Sequence, residues 1–167
     1  MSPGLKRQTI EVLAHRRLNL QMARQAIAWG WALIDEGLTS DAVFVLTAQT
    51  PEVHWGELNS LVDRVAAELS LARPADEATA TRWLAALHLR DILAAGGDDF
   101  TALKKVSRLW FDHQTPDLHR FYRLKHAIRE VETSGTQGHW AGLTRDNWRT
   151  ILSDEAARWL AAYPLPL

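Results

Sequence analysis

The residues best suited to acid-base or metal chemistry in this sequence are its seven histidines and the carboxylates near them. Two pairs have helical spacing, His88 with Asp91 and His126 with Glu130, so each pair would share one face of a helix. A helical zinc site uses two histidines four residues apart and a third ligand, and no two histidines here have that spacing. The spacing therefore predicts no metal site and no cofactor.

His88 and Asp91 form the one pair that suggests catalysis. They lie in a strongly apolar segment, where burial disfavours the charged imidazolium unless an acid holds the proton. An enzyme centred on this pair is one interpretation. A core histidine satisfied by one hydrogen bond is the other, and we favour it because buried polar groups in proteins are usually hydrogen-bonded.

Other catalytic classes lack a motif. The chain has no cysteine, which excludes disulfides, thiolate zinc sites and a cysteine nucleophile. It also has no Gly-x-Ser-x-Gly turn and no glycine-rich loop between a strand and a helix that would hold a phosphate. We therefore expect a binding protein rather than an enzyme.

The net charge of −1 hides an uneven distribution along the chain. Residues 1–24 carry +4, residues 25–100 carry −8, residues 101–129 carry +5 and residues 130–167 carry −2. The acidic stretch suits a cationic protein partner, because complementary charge steers association. Within it, Trp55 stands among carboxylates as a candidate aromatic anchor. The predicted partner-binding residues are Glu52, Trp55, Glu57 and Asp63.

The basic stretch supports an alternative, a helical surface that binds nucleic acid. Such surfaces typically carry basic side chains that contact successive phosphates of the nucleic acid, with aromatic residues between them. Pairing with the acidic stretch inside the fold would explain the same cations without a ligand, and we favour that explanation. The candidate nucleic-acid-binding residues are Lys104, Lys105, Arg108, Arg120, Arg123 and Arg129.

Eight tryptophans are many for 167 residues, and core packing explains most of them. The run Trp29-Gly30-Trp31 differs, because glycine inside a helix costs about 1 kcal/mol relative to alanine. A close helix-helix contact at Gly30 would explain the glycine. Trp55 and Trp140 lie in less regular segments, so we expect one of them to be exposed.

Along the chain, apolar residues recur three and four positions apart, as in an amphipathic helix. The alternation of apolar and polar residues that marks a half-buried strand does not occur. This predicts an all-α protein, an irregular bundle of seven to eight helices without a sheet, in a single domain over residues 1–167. The expected helices are Leu5 to Arg17, Leu20 to Glu36, Asp41 to Ala48, Pro51 to Leu69, Asp76 to Ala95, Asp99 to Asp112, Pro116 to Thr133 and one after Thr144. Predicted N-caps are Asn19, Ser40, Thr50 and Thr144, and Gly37 and Gly96-Gly97 are predicted stops.

No secretory signal is expected. A signal peptide would have an apolar segment after Lys6 and Arg7, and in this sequence charged residues soon follow instead. The longest apolar run covers residues 26–34, far shorter than the ~20 residues that span a bilayer. We therefore expect a cytoplasmic protein with no membrane partner.

The run from Trp31 to Ser40, followed by Leu46 and the amphipathic segment from Glu57 to Leu71, resembles a pattern in small bacterial helical proteins of uncharacterised function. The segments 82–87, 98–99 and 103–110 are similar to the later half of that pattern. Some of those proteins are thought to be immunity proteins of toxin systems. The resemblance covers residues 29–112, and it implies that the partner is a protein, in its sharpest form a basic toxin.

Overall fold

A computed structural model describes residues 1–94 and 98–165. Over these residues the chain forms eight α-helices and one short 3-10 helix, with 71% of residues helical and no strand. The all-α prediction is confirmed. The α-helices are α1 (Pro3–Arg17), α2 (Ala23–Asp35), α3 (Asp41–Thr47), α4 (Trp55–Glu68), α5 (Glu77–Leu93), α6 (Asp99–His113), α7 (His119–Ser134) and α8 (Trp148–Ala162), and the 3-10 helix is Pro116–Leu118.

The described residues divide into two compact units, Met1–Trp83 and Leu84–Leu165, with the boundary inside α5. The division redistributes the charges of the sequence. The first unit contains eight basic and ten acidic side chains, a net −2, and the second contains eleven basic and ten acidic, a net +1. The −8 of residues 25–100 is therefore not the charge of either unit. A single domain over the whole chain stays a prediction.

The first unit is built by successive contacts of α1 with α2, α2 with α3, and α4 with both α3 and α1. Trp29 lies at its centre with no exposed surface, and its Nε1 donates to Thr9 Oγ1 at 2.9 Å. Thr9 in turn donates to the Leu5 carbonyl at 2.8 Å, so the indole N–H and the hydroxyl are both satisfied. The other largest fully buried side chains in this unit are Ile10, Met22, Leu33, Leu46 and Leu58.

Helices α2 and α3 approach closely at Gly30. A Cβ built on Gly30 would lie 2.9 Å from Thr47 Cγ2 and 3.4 Å from Leu46 Cδ2, closer than side chains normally pack. The glycine in Trp29-Gly30-Trp31 is therefore explained by helix packing, as the sequence predicts. Its neighbours point to opposite sides, since Trp29 is buried and Trp31 is 53% exposed.

The second unit is organised by the contact of α6 with α7. Its buried cluster includes Leu103 and Val106 from α6 and Phe121 and Leu124 from α7, and α8 adds Trp159. Two indole N–H groups of α8 donate to carboxylates outside that helix. Trp148 donates to Glu132 at 2.6 Å and Trp159 donates to Asp117 at 3.0 Å.

Several predicted helix ends are confirmed and three predicted caps are wrong. Ser40 caps α3 by accepting from the Val43 N–H, and Gly37 follows the end of α2 at φ +75°. Asn19 does not start α2, which begins at Ala23; it has φ 58° and accepts a hydrogen bond from Trp55.

Thr50 and Pro51 form a turn before α4, whose N-cap is His54, and the cap of α8 is Asn147 rather than Thr144. Pro116 begins the 3-10 helix that precedes α7. The predicted stop at Gly96-Gly97 lies outside the described residues. None of the helices in the described ranges combines the length and apolarity needed to cross a membrane.

Replacing Gly30 with alanine should test the close contact. Overpacking typically costs about 1–3 kcal/mol, whereas alanine in a helix gains about 1 kcal/mol over glycine. We expect Gly30→Ala to lower the free energy of unfolding by ~1 kcal/mol, and to be neutral or stabilising in a Thr47→Ala background. Urea unfolding of the four proteins in this cycle measures both effects.

Gly4→Ala is the matched control, because its Cβ would meet only Ser2 Oγ, at 3.9 Å. If Gly30→Ala has the same effect with and without the Thr47 methyl group, the contact does not limit the residue at position 30.

Candidate functional site

The first candidate site is the exposed apolar surface of α2 and α3. Trp31 is 53% exposed, Phe44 54% and Val45 42%. Asp35 lies one turn after Trp31, and Asp41 lies one turn before Phe44 and Val45, so each carboxylate shares a helix face with an exposed apolar side chain. Trp31 follows Gly30 in the sequence and Phe44 lies one turn before Thr47, the two residues of the close contact between the helices. All five residues are exposed on these two packed helices, and we call them the α2–α3 face.

Some carboxylates of the first unit hold the fold together. Glu36 accepts the Ser2 N–H at 2.8 Å, Glu68 accepts the Ala42 N–H at 2.9 Å, and Asp76 accepts the Thr79 N–H at 2.7 Å. These hydrogen bonds lower the pKa of each group: Ser2 acts on Glu36, the Ala42 backbone and then Ser40 on Glu68, and Thr79 on Asp76. These three acids are engaged within the fold.

The remaining acids of this unit have no such engagement. Within the described residues, six carboxylates form no hydrogen bond or ion pair: Glu11, Asp35, Asp41, Glu52, Glu57 and Glu77. Two of the six belong to the α2–α3 face. Glu57 lies in the first turn of α4, where a negative charge also favours the helix dipole.

The residues predicted from sequence to bind a partner have different surroundings. Glu52 and Trp55 line a cavity of about 520 Å³ with Gln21, Met22 and Val53. Trp55 is half-buried, and its Nε1 donates to Asn19 Oδ1 at 3.1 Å, so its polar atom already has a partner.

Glu57 is exposed on the first turn of α4. Asp63 forms an ion pair with Arg16, with Nη2 and Oδ2 2.7 Å apart. The role of these four residues in binding stays a prediction, although Asp63 already has a partner in the fold.

The six cations of the alternative nucleic-acid surface fall into two groups. Three are engaged by the fold: Arg108 contacts Asp112 at 2.7 Å, Arg120 contacts Glu155 at 2.6 Å, and Arg123 donates to the His139 carbonyl at 2.7 Å. The other three form no ion pair with any described residue: Lys104, Lys105 and Arg129.

Glu155 explains why Arg120 is needed in the fold. Its side chain is 8% exposed, and Arg120 and Arg158 both contact its carboxylate. A buried carboxylate without a cation is strongly destabilising. Arg120 is therefore better explained as a structural residue than as a phosphate contact.

The second candidate site is a groove of about 310 Å³ between α6 and α7, which we call the α6–α7 groove. Its lining residues are Lys104, Ser107, Arg108 and Phe111 from α6 and Tyr122, Lys125 and His126 from α7. Phe111 is 57% exposed, and the Arg108 guanidinium lies 5.6 Å from its ring centre. Tyr122 is held on the groove wall by Trp110, with ring centres 4.3 Å apart, and by His126 at 4.5 Å.

The electrostatics of this groove are dominated by positive charge. Burial and the nearby Arg129 lower the pKa of Lys125, and burial, Lys125, His139 and Arg129 lower the pKa of His126. Glu130 opposes the shift on His126, but it is also bound to His139 at 3.0 Å. The groove therefore favours a negatively charged ligand.

The His88 and Asp91 pair has modest geometry for catalysis. Nδ1 and Oδ2 are 3.8 Å apart, longer than a hydrogen bond, and the side chains are 21% and 40% exposed. His88 is thus half-buried rather than a core residue. In the described part of the chain, no three histidine or carboxylate side chains come close enough to hold a metal ion.

The exposed aromatic residues Trp31, Phe44 and Phe111 are not among the site residues predicted from sequence. The exposed tryptophan was predicted at Trp55 or Trp140, and this prediction is wrong because both residues are half-buried. One signal was present: Trp29 and Trp31 are two positions apart in a helix, about 200°, so both cannot face one core. Phe44 and Phe111 carried no such signal, because short apolar runs in helices do not reveal which member is buried.

No protein-family model, curated protein or solved structure matches this chain. The resemblance of residues 29–112 to bacterial immunity proteins therefore stays a prediction from sequence.

Replacing Arg120 should separate structural cations from free ones. Arg120→Ala leaves the buried Glu155 with Arg158 alone, so we expect the free energy of unfolding to fall by ~2 kcal/mol. Lys105→Ala, which removes an exposed cation without an ion pair, should change it by less than ~0.5 kcal/mol. Urea unfolding compares the two; equal effects would mean that Arg158 alone satisfies Glu155.

Proposed function

We propose that this protein binds another protein through the α2–α3 face and that it catalyses no reaction. The observation that carries the proposal is the exposure of Trp31, Phe44 and Val45 beside carboxylates that the described residues leave unpaired. Soluble proteins seldom expose large apolar side chains together without a binding role. Aromatic residues in particular supply most of the binding energy in protein interfaces.

The partner surface should be apolar at its centre and basic at its edge. Trp31 and Phe44 would enter pockets of the partner, where burying a large aromatic side chain contributes the most to affinity. Asp35 and Asp41 would face lysine or arginine side chains. Charge pairs at an interface rim act mainly on the association rate, whereas buried aromatic anchors act mainly on dissociation.

The specific form of the proposal is an immunity protein that neutralises a basic toxin in the bacterial cytoplasm. Such a protein needs a rigid surface and no active site. The close packing at Gly30 supports rigidity, because it holds α2 against α3 next to the proposed anchors.

The test starts with coexpression with the product of the adjacent gene and recovery of any complex. We then expect Trp31→Ala and Phe44→Ala each to weaken binding by more than about 2 kcal/mol, roughly 30-fold, through faster dissociation. Asp35→Lys with Asp41→Lys should instead slow association by about tenfold at low salt. Surface plasmon resonance separates the two rates.

Phe111→Ala is the matched control, because Phe111 is 57% exposed against 54% for Phe44 and belongs to the other unit. It should leave both rates within twofold, a margin set by the order-of-magnitude effect of neutral surface changes. Loss of binding in Glu52→Lys, Trp55→Ala and Glu57→Lys, with no effect at Trp31 or Phe44, would move the site to the cavity beside Trp55. No effect from either set would contradict a partner site on this unit.

A further inference from the structure

The α6–α7 groove contains polar groups that the fold does not satisfy. Ser107 is 2% exposed and lines the groove, yet its hydroxyl makes no hydrogen bond to any described residue. His126 also lines the groove, and its Nε2 is buried without a partner in the described chain. Buried polar groups are normally hydrogen-bonded, so the buried His126 Nε2, beside the unbonded Ser107 hydroxyl, calls for a ligand or water.

Cations surround these groups. Lys104, Arg108 and Lys125 line the groove, and Arg129 lies close enough to lower the pKa of Lys125. Asp112 binds the Arg108 Nε at 2.7 Å and leaves the other guanidinium nitrogens free for a ligand, because no further bond engages them within the described residues. Clusters of lysine and arginine of this kind bind phosphate groups.

An aromatic ring stands at the edge of the same groove. Phe111 is 57% exposed, and the Arg108 guanidinium over its ring keeps it beside the cations. Exposed aromatic rings among cations are the platforms on which nucleobases stack in single-stranded nucleic acid sites. The volume of about 310 Å³ suits a single small ligand, since sites for small molecules span ~300–1,000 Å³.

We propose that the α6–α7 groove binds one nucleotide unit, with its phosphate against Lys104, Arg108 and Lys125 and its base against Phe111. The Ser107 hydroxyl donates to the phosphate or sugar at the floor of the groove. The unit is either a free mononucleotide or one residue of a single strand, since both present the same phosphate and base. A duplex does not fit, because its bases are already stacked and cannot reach Phe111.

This site differs from the surface that the basic stretch alone suggests. Only Lys104 and Arg108 of the six predicted cations line the groove, and Lys125 joins them from α7. Arg120 and Arg123 instead line another cavity with Trp140 and Trp159. The groove lies within the second unit, so it does not depend on the α2–α3 face.

The experiment measures binding of AMP, adenosine, inorganic phosphate, a fluorescent ten-nucleotide deoxyadenosine strand and a 20-bp duplex to the full-length protein. Calorimetry serves the small molecules, and fluorescence polarisation serves the strands. We expect saturable binding of AMP or of the single strand, at least tenfold tighter than adenosine, phosphate or the duplex. If only AMP binds, the ligand is a free nucleotide; if the strand binds more tightly, it is single-stranded nucleic acid.

Variants place the ligand in the groove. Phe111→Ala should weaken binding at least tenfold, and Ser107→Ala about threefold. Lys104→Gln should weaken it about fivefold and lower the salt dependence of strand binding by about one ion. The matched controls are Lys105→Gln, an exposed lysine next to Lys104 that does not line the groove, and Phe44→Ala in the other unit. Both controls should stay within twofold.

Three results would overturn the proposal. The first is no saturable binding of AMP or of the strand at millimolar concentration. The second is binding of phosphate as tight as that of AMP, or of the duplex as tight as that of the strand, since either result removes the base from the site. The third is an equal effect of Lys104→Gln and Lys105→Gln together with none from Phe111→Ala, which would indicate diffuse charge attraction outside the groove.

Discussion

Neighbouring side chains of an α-helix point about 100° apart, and both candidate sites follow from this constraint. Trp29 is buried and hydrogen-bonded to Thr9, so Trp31, two positions later, must face away from the core. In α6, Trp110 packs on Tyr122, and the next residue, Phe111, is turned outward. In both helices, the apolar residues that do not fit the buried face are therefore exposed.

Charged side chains in this protein fall into two groups, those that form ion pairs within a unit and those that form none with the described residues. Asp63, Glu155, Arg16 and Arg120 form ion pairs that join segments distant in sequence. Asp35 and Asp41 on one unit and Lys104 and Lys105 on the other form none with the described residues. A charged atom already held in an ion pair is a poor candidate for binding, because a ligand would have to displace its partner; Arg108 keeps guanidinium nitrogens that Asp112 does not engage. Asp35 and Asp41 share helix faces with exposed apolar side chains, and Lys104 lines the α6–α7 groove together with the exposed Phe111.

Local sequence predicted those features that depend on a few adjacent residues. The helical class, the cap at Ser40, the stop at Gly37 and the close contact at Gly30 all follow from spacing and backbone preference. The caps predicted at Asn19, Thr50 and Thr144 are wrong, although each position has a residue type that can cap a helix. These residues take part in a tertiary contact or a local turn instead: Asn19, for example, accepts a hydrogen bond from Trp55.

The sequence by itself determined that this protein is helical, that it has no cysteine chemistry, and that cations and aromatic residues alternate over residues 101–129. Only the tertiary structure decided which of those side chains are available. Helical spacing shows that Lys104 and Arg108 share a face, but not that Lys125 and an unpaired Ser107 meet them across a second helix. The availability of a side chain depends on contacts between residues far apart in the chain, and these form only when helices pack and bury one face of each.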